Sequence, residues 1–206
     1  MEFLTKDKPM SLPQADILEM FRESGALLEG HFRLTSGLHS DQYFQCAKVL
    51  QYPRFCETLC GAIAAQFQKE RLAAVIAPAL GGIVVGQEVG RQLNIRTMFT
   101  ERSDGTMQLR RGFAIAPGER VLVCEDVVTT GGSVNEVIEI VRKAKGIVAG
   151  VGYLVDRSGG SVRFDVAPGG VQYPIMSLKV TAYQPDSCPL CAQGLPVVKP
   201  GSRGNA

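Results

Sequence analysis

The chain has 206 residues, 45% of them hydrophobic, which suffices for one substantial core and so predicts a single domain. Twenty-two Lys and Arg against 20 Asp and Glu leave a net charge of +2 with no basic tail, so nucleic-acid binding gets no support from composition. The opening MEFLTKDKPM lacks the apolar stretch of a secretory signal, and no segment supplies the roughly 18 consecutive apolar residues of a membrane helix. The expectation is a soluble, cytoplasmic protein.

In chain order, residues 14–23 form the first predicted helix, with Ile17, Leu18 and Phe21 on one face and Gly25 after the end. An irregular stretch over 34–40 (LTSGLHS) follows. A second helix over 53–69 carries Phe55, Leu59, Ile63 and Phe67 at every fourth position.

From there strand, loop and helix repeat. Residues 73–77 (AAVIA) read as a strand, 78–82 as a glycine-bearing turn, 83–93 as a helix and 95–99 as a strand. The polar segment 100–112 (TERSDGTMQLRRG) is a mobile loop or an exposed hairpin. Residues 120–124 form the third strand of this series, 132–144 a helix with Gly146 as candidate C-cap, and 147–155 a fourth strand. Apolar strands that do not alternate, separated by helices, predict an α/β fold with a mainly parallel sheet covered on both faces. A last strand near 171–178 is assigned to a smaller substructure, and the Pro- and Gly-rich tail from Gln184 to the surface.

Six cysteines are present. Cys46, Cys56, Cys60 and Cys124 are scattered among apolar residues and read as small core residues. Cys188 and Cys191 (CPLC) have the spacing of half a zinc site, but no second pair stands at matching spacing. An ordinary turn, a structural metal and a local disulfide therefore stay open, with the turn preferred. The two histidines, His31 and His39, read as structural or surface residues; no His-rich metal site is expected, and His39 alone is a candidate to hydrogen-bond near a ligand.

Ligands of open parallel sheets gather at the C-terminal strand ends, where Glu125 and Asp126 fall. Gly131 and Gly132 allow a tight turn, and Thr129, Thr130 and Ser133 add hydroxyls beside the free N–H groups of the following helix. Together they suit a phosphate. The two acids would repel that phosphate; they suit sugar hydroxyls or a hydrated Mg2+. A competing reading makes Ser133 a helix cap, with Glu136 completing a capping box.

The run VLVCEDVVTTGGS (121–133) resembles the site for PRPP, 5-phosphoribosyl 1-pyrophosphate, in type I phosphoribosyltransferases. The resemblance implies that fold, that Glu125 and Asp126 meet the ribose hydroxyls, that Thr129 to Ser133 wrap the 5-phosphate, and that Val127 and Val128 belong to the same site. Three further segments resemble orotate phosphoribosyltransferases: FRLTSGLHSDQYF (32–44), part of a hood formed by residues 1–50; APALGG (77–82), a pyrophosphate-side loop containing Ala79, Leu80, Gly81 and Gly82; and LVDRSGG (154–160). They imply orotate as acceptor, with Arg157, Thr130, Ser36, Gly37 and Phe32 around it, Mg2+ as cofactor held mainly through PRPP and at most through Asp126, and a homodimer. A purine (adenine or xanthine) phosphoribosyltransferase and a non-catalytic PRPP-sensing regulator are the alternatives.

The sequence departs from the family pattern in its cations. Family members often carry Lys where Gly81, Ser103 and Thr35 stand here, and the loop histidine has no counterpart. Arg102, Arg110 and Arg111 are the replacement candidates on the pyrophosphate side; Arg102 is preferred as catalytic beside Asp126, whereas Arg110 and Arg111 are also placed to anchor the base of a hairpin.

Overall fold

The computed structural model describes residues 12–34, 36–178 and 181–200. Helix α1 (Gln14–Glu23) buries Ile17 and Phe21, while Leu18 is half-buried. The next segment departs from its sequence reading. Strand β1 (Leu27–Arg33) and strand β2 (His39–Phe44) form an antiparallel hairpin, so His39 and Ser40 are strand residues and only the residues between the strands form the turn. The pairing shifts register between Glu29 and Phe32, which puts His31 and Phe32 both in buried positions and breaks the two-residue alternation that reveals a strand.

A five-residue helix α2 (Cys46–Leu50) leads into α3 (Pro53–Phe67), which opens with proline where a helix has no use for an N–H. Its stripe of Phe55, Leu59, Ile63 and Phe67 is buried. Strand β3 (Ala74–Pro78), helix α4 (Gly81–Leu93) and strand β4 (Arg96–Ser103) follow. Asn94, in the left-handed conformation, ends α4. Residues 100–112 form the hairpin of the two readings: β4 continues into them and pairs antiparallel with β5 (Thr106–Leu109).

Strand β6 (Arg120–Val128), helix α5 (Gly132–Lys143), strand β7 (Ile147–Asp156) and strand β8 (Val171–Ser177) complete the main sheet, in order β5-β4-β3-β6-β7-β8 and parallel except for β5. Strand β8 is thus an edge of this sheet rather than part of a smaller substructure. The left-handed residue after α5 is Lys145, not Gly146. One apolar core lies between the sheet and α1, α3 and α4, and a second lies under α5. Cys46, Cys56, Cys60 and Cys124 are buried, and all six cysteines are free.

The tail folds back on the hairpin. Strand β9 (Ala182–Tyr183) pairs with β2, giving a small sheet of order β1-β2-β9, and the short helix α6 (Pro189–Ala192) follows. Val198 then makes an isolated bridge to Phe32. Among the described residues no helix is long and apolar enough to cross a membrane.

Candidate active site

Strands β3 and β6 are neighbours, but the chain leaves β3 toward β4 on one side and leaves β6 toward β7 on the other. At such a divergence the loops beyond the strand ends separate and open a crevice. The turn after β3 and the loop after β6 face each other across it.

The sequence ends the third strand of its series at Cys124, whereas the ladder with β7 continues through Glu125↔Tyr153, Val127↔Val155 and Val128↔Asp156. The acids are therefore held on strand backbone. Glu125 is buried and Asp126 half-buried. Burial, and then the charge of Asp126, push the Glu125 carboxyl well above the usual carboxylate range; burial also raises Asp126. Among the described residues neither acid forms an ion pair. Their internal bonds are to backbone: Asp126 N–H donates to Glu125 Oε1 at 3.0 Å, and Val127 N–H to Asp126 Oδ1 at 2.8 Å.

The turn after β3 presses on this pair. A β-carbon at Gly81 would stand 2.2 Å from Asp126 Oδ2, and one at Gly82 would stand 3.0 Å from Glu125 Oε1. Ala79 N–H donates to the Thr100 carbonyl at 2.8 Å, the Ala79–Leu80 peptide is cis, and the Leu80 side chain is 83% exposed.

Val127 and Val128 turn their side chains into the two cores, one on each face of the sheet, and the Val128 carbonyl accepts from Arg157 N–H at 2.8 Å. Thr129, Thr130 and Gly132 are exposed, and the hydroxyls of Thr129, Thr130 and Ser133 make no hydrogen bond among the described residues. Gly131 has φ of 74°, and a β-carbon there would meet Val162 Cγ1 at 2.7 Å, so both conformation and space require glycine. The capping-box reading fails: Gly131 is the N-cap of α5, Ser133 lies inside the helix, and Glu136 accepts from Arg102 Nη2 at 2.6 Å. Ser133 is left with an uncommitted hydroxyl beside the helix N-terminus.

Arg157 follows β7. Asp156, buried, accepts at 2.7 Å from Ser158 N–H and at 2.6 Å from Ser158 Oγ, fixing the turn that carries it. The Arg157 Nε is buried with no hydrogen-bond partner among the described residues, and desolvation lowers the affinity of the guanidinium for its proton. Its Cζ stands 5.9 Å from the ring centroid of Tyr43, which in turn lies 5.9 Å from the ring of Phe32. Phe32 thus reaches the site through Tyr43, a residue to which the sequence alone assigns no role. Cys46, a core residue by sequence, also borders the site, its Sγ 3.8 Å from the Asp126 carbonyl. Ser36 is exposed and Gly37 half-buried at the hairpin tip; among the described residues neither is hydrogen-bonded to Arg157 or to the loop after β6. Thr35 lies outside the described residues.

The cation candidates are engaged with acids. Arg102 donates to Glu136 and, at 2.8 Å, to the Gly105 carbonyl. Arg111 meets Glu101 at 3.0 Å and Arg110 meets it at 3.8 Å, at the base of the β4–β5 hairpin.

Acids on one strand end, a glycine-turned loop into a helix N-terminus and a facing glycine turn define a transferase of the phosphoribosyl class, and the family model "Phosphoribosyl transferase domain" matches residues 53–165. An orotate phosphoribosyltransferase of Chlorobium phaeobacteroides is 57% identical over 94% of this chain and 97% of its own length. The chain belongs to the orotate phosphoribosyltransferases of that family. Among solved structures, the orotate phosphoribosyltransferase from Aeropyrum pernix is 27% identical, with a TM-score of 0.65, over 79% of this chain and 94% of that one. The adenine phosphoribosyltransferase from Rhodothermus marinus, at 20% identity, shares the fold with a TM-score of 0.64 over 80% of this chain and 99% of that one. The fold alone therefore does not choose the base.

Proposed function

We propose that this chain transfers the 5-phosphoribosyl group of PRPP to orotate, giving orotidine 5-phosphate and pyrophosphate, a step of pyrimidine-nucleotide (UMP) synthesis. One observation carries the choice of acceptor: the buried, unpaired Nε of Arg157 beside Tyr43. A planar fork with an unmet donor suits the carboxylate of orotate, and leaving that donor dry and unpaired would cost about 1–3 kcal/mol.

The loop Thr129 to Ser133 takes the 5-phosphate with its hydroxyls and the N-terminal amides of α5. Glu125 and Asp126 accept from the ribose hydroxyls. As the bond from C1 to the pyrophosphate oxygen breaks and the ring nitrogen of orotate, giving up its proton, bonds to C1, positive charge develops on the ribose, and Asp126, the less strongly raised of the two carboxyls, is the negative group beside it. Ala79 to Gly82 lie on the side of the leaving pyrophosphate, with Arg102 as the cation able to swing in. Thr130, Ser36, Gly37 and Phe32 border the base.

A buried Glu125 and a half-buried Asp126, neither with a cationic partner among the described residues, fit a divalent cation that Asp126 would help to hold. When bound, Mg2+ neutralises charge on the leaving pyrophosphate. The family resemblance supports a homodimer in which the 100–112 hairpin serves the neighbouring subunit.

The test is loss of orotate absorbance in the presence of PRPP and Mg2+. Orotate consumed with one pyrophosphate released per turnover supports the reading. Adenine or xanthine consumed instead would move the chain to the purine enzymes, and PRPP binding without turnover on any base would make it a PRPP-sensing protein.

A further inference from the structure

The cysteine pair that lacks a partner along the sequence has one in space. His31 on β1 and His39 on β2 face Cys188 and Cys191 from the tail, with one ligand atom from each residue within 4.8 Å of every other. His31 Nε2 lies 2.8 Å from His39 Nδ1, 3.6 Å from Cys188 Sγ and 3.8 Å from Cys191 Sγ, and Cys191 Sγ lies 3.3 Å from His39 Nδ1. The expectation that no second pair exists is thereby corrected: spacing along the chain misses a partner about 150 residues away, delivered by a hairpin and a returning tail.

We propose that His31, His39, Cys188 and Cys191 bind one structural Zn2+ that fastens the tail to the β1–β2 hairpin. Bond lengths of about 2.3 Å to sulfur and 2.0–2.1 Å to nitrogen, arranged tetrahedrally, place N and S ligands about 3.6 Å apart and two N ligands about 3.3 Å apart. The observed N···S separations of 3.3 to 3.8 Å straddle the first value, and the N···N separation is half an ångström or so under the second.

The tautomer of His31 agrees. Its Nδ1 lies 2.8 Å from the Leu195 carbonyl, which can only accept, so Nδ1 carries the hydrogen and the Nε2 lone pair faces the cluster. Such outer hydrogen bonds orient metal-bound imidazoles, and here the carbonyl comes from the tail being fastened. The charge agrees as well. One Zn2+, two thiolates and two neutral imidazoles sum to zero, which suits His31, His39 and Cys188, all at most 7% exposed. Four protein ligands leave no open position, which marks the site as structural rather than catalytic.

Besides the β9 pairing with β2 and two backbone bonds at Val198, one from its N–H to the His31 carbonyl and one from Arg33 N–H to its carbonyl, the tail has little apolar packing to hold it. Leu195, Val197 and Val198 are 43%, 45% and 51% exposed, and β9 is two residues long. Apolar burial does not anchor this segment, so a metal would supply what the packing lacks.

The test uses the full chain, purified without a histidine tag and under reducing conditions. Plasma mass spectrometry is expected to find about one zinc per chain. Zinc should fall to background in Cys191→Ser and in His39→Ala but persist in Cys56→Ala, whose thiol lies in another core. Because a ligand variant can fail to fold, a second measurement uses the unaltered chain: stripped of metal and titrated with Co2+, it should show thiolate-to-cobalt charge transfer and the intense visible bands of tetrahedral cobalt, saturating at about one equivalent. Chelation should speed proteolysis after residue 184 and leave the 53–165 region protected. Weak octahedral cobalt bands, a Cys188–Cys191 disulfide in the zinc-free chain as purified that resists reductant, or zinc retained by both ligand variants would overturn the proposal.

Discussion

Gly81 and Asp126 are in such close approach that a β-carbon at position 81 would stand 2.2 Å from the Asp126 carboxylate. With the Asp126 carboxyl where it is, a β-carbon at position 81 does not fit, so any side chain there requires Asp126 to turn away. Gly81→Ala is expected to push Asp126 off its position and lower kcat/KM for PRPP about tenfold or more, the equivalent of about 1.4 kcal/mol in the transition state. Gly81→Lys should do no better, despite restoring the cation. Steady-state kinetics with varied PRPP checks both; wild-type kinetics in Gly81→Ala would show that the acid moves freely.

Gly131 faces a double constraint from its positive φ and from Val162. Gly131→Ala should destabilise the protein by about 1–3 kcal/mol in urea denaturation, since overpacking adds to the backbone cost. The PRPP KM should rise more than the orotate KM, because the residue shapes the phosphate loop.

Arg157→Lys keeps a charge but loses the fork. The orotate KM should rise about 10- to 100-fold with the PRPP KM nearly unchanged, and Arg157→Ala should be worse. Equal effects on both substrates would remove Arg157 from the base site.

Arg102 and Glu136 form an exposed ion pair at 2.6 Å, and such pairs contribute about 0–1 kcal/mol to stability. If Arg102 must leave Glu136 to meet the pyrophosphate, Glu136→Gln should hold or raise kcat. Arg102→Ala should lower kcat about 10- to 100-fold at almost unchanged stability. Losses of the same size in both variants would mark the pair as purely structural.

The raised Glu125 carboxyl makes stability depend on pH. Its folded-state pKa lies above its unfolded value of about 4.3, so the stabilisation it contributes is complete below that pH and is lost as pH rises through the folded pKa. Glu125→Gln should therefore match wild-type stability near pH 4 and exceed it at pH 8 in the ligand-free protein, each tenfold difference in proton affinity between the folded and unfolded states being worth about 1.4 kcal/mol. Denaturant midpoints at the two pH values measure this.

Local periodicity reveals what local contacts stabilise. The stripe of α3 is legible because its burial repeats every fourth residue, and strands β3 and β7 because they are short unbroken apolar runs buried along nearly their whole length. The motif over 121–133 is legible because its acids, hydroxyls and glycines stand together in one short run. Strand β1 is hidden because its register shift buries two adjacent residues. The last four of the nine residues of β6 are hidden because acids, Glu125 buried and Asp126 half-buried, contradict strand composition; the structure tolerates that cost at the site itself. Tyr43 and the His–Cys cluster depend on contacts between distant segments, for which a linear pattern carries no trace.

The small sheet that carries Tyr43 toward Arg157 is made of residues 27–33, 39–44 and 182–183, with Val198 bridged to Phe32. Strand β8 completes the main sheet at Ser177, whereas the small sheet needs β9, so a chain cut between these two strands would keep every strand of the main sheet and lose an edge of the sheet that carries Tyr43.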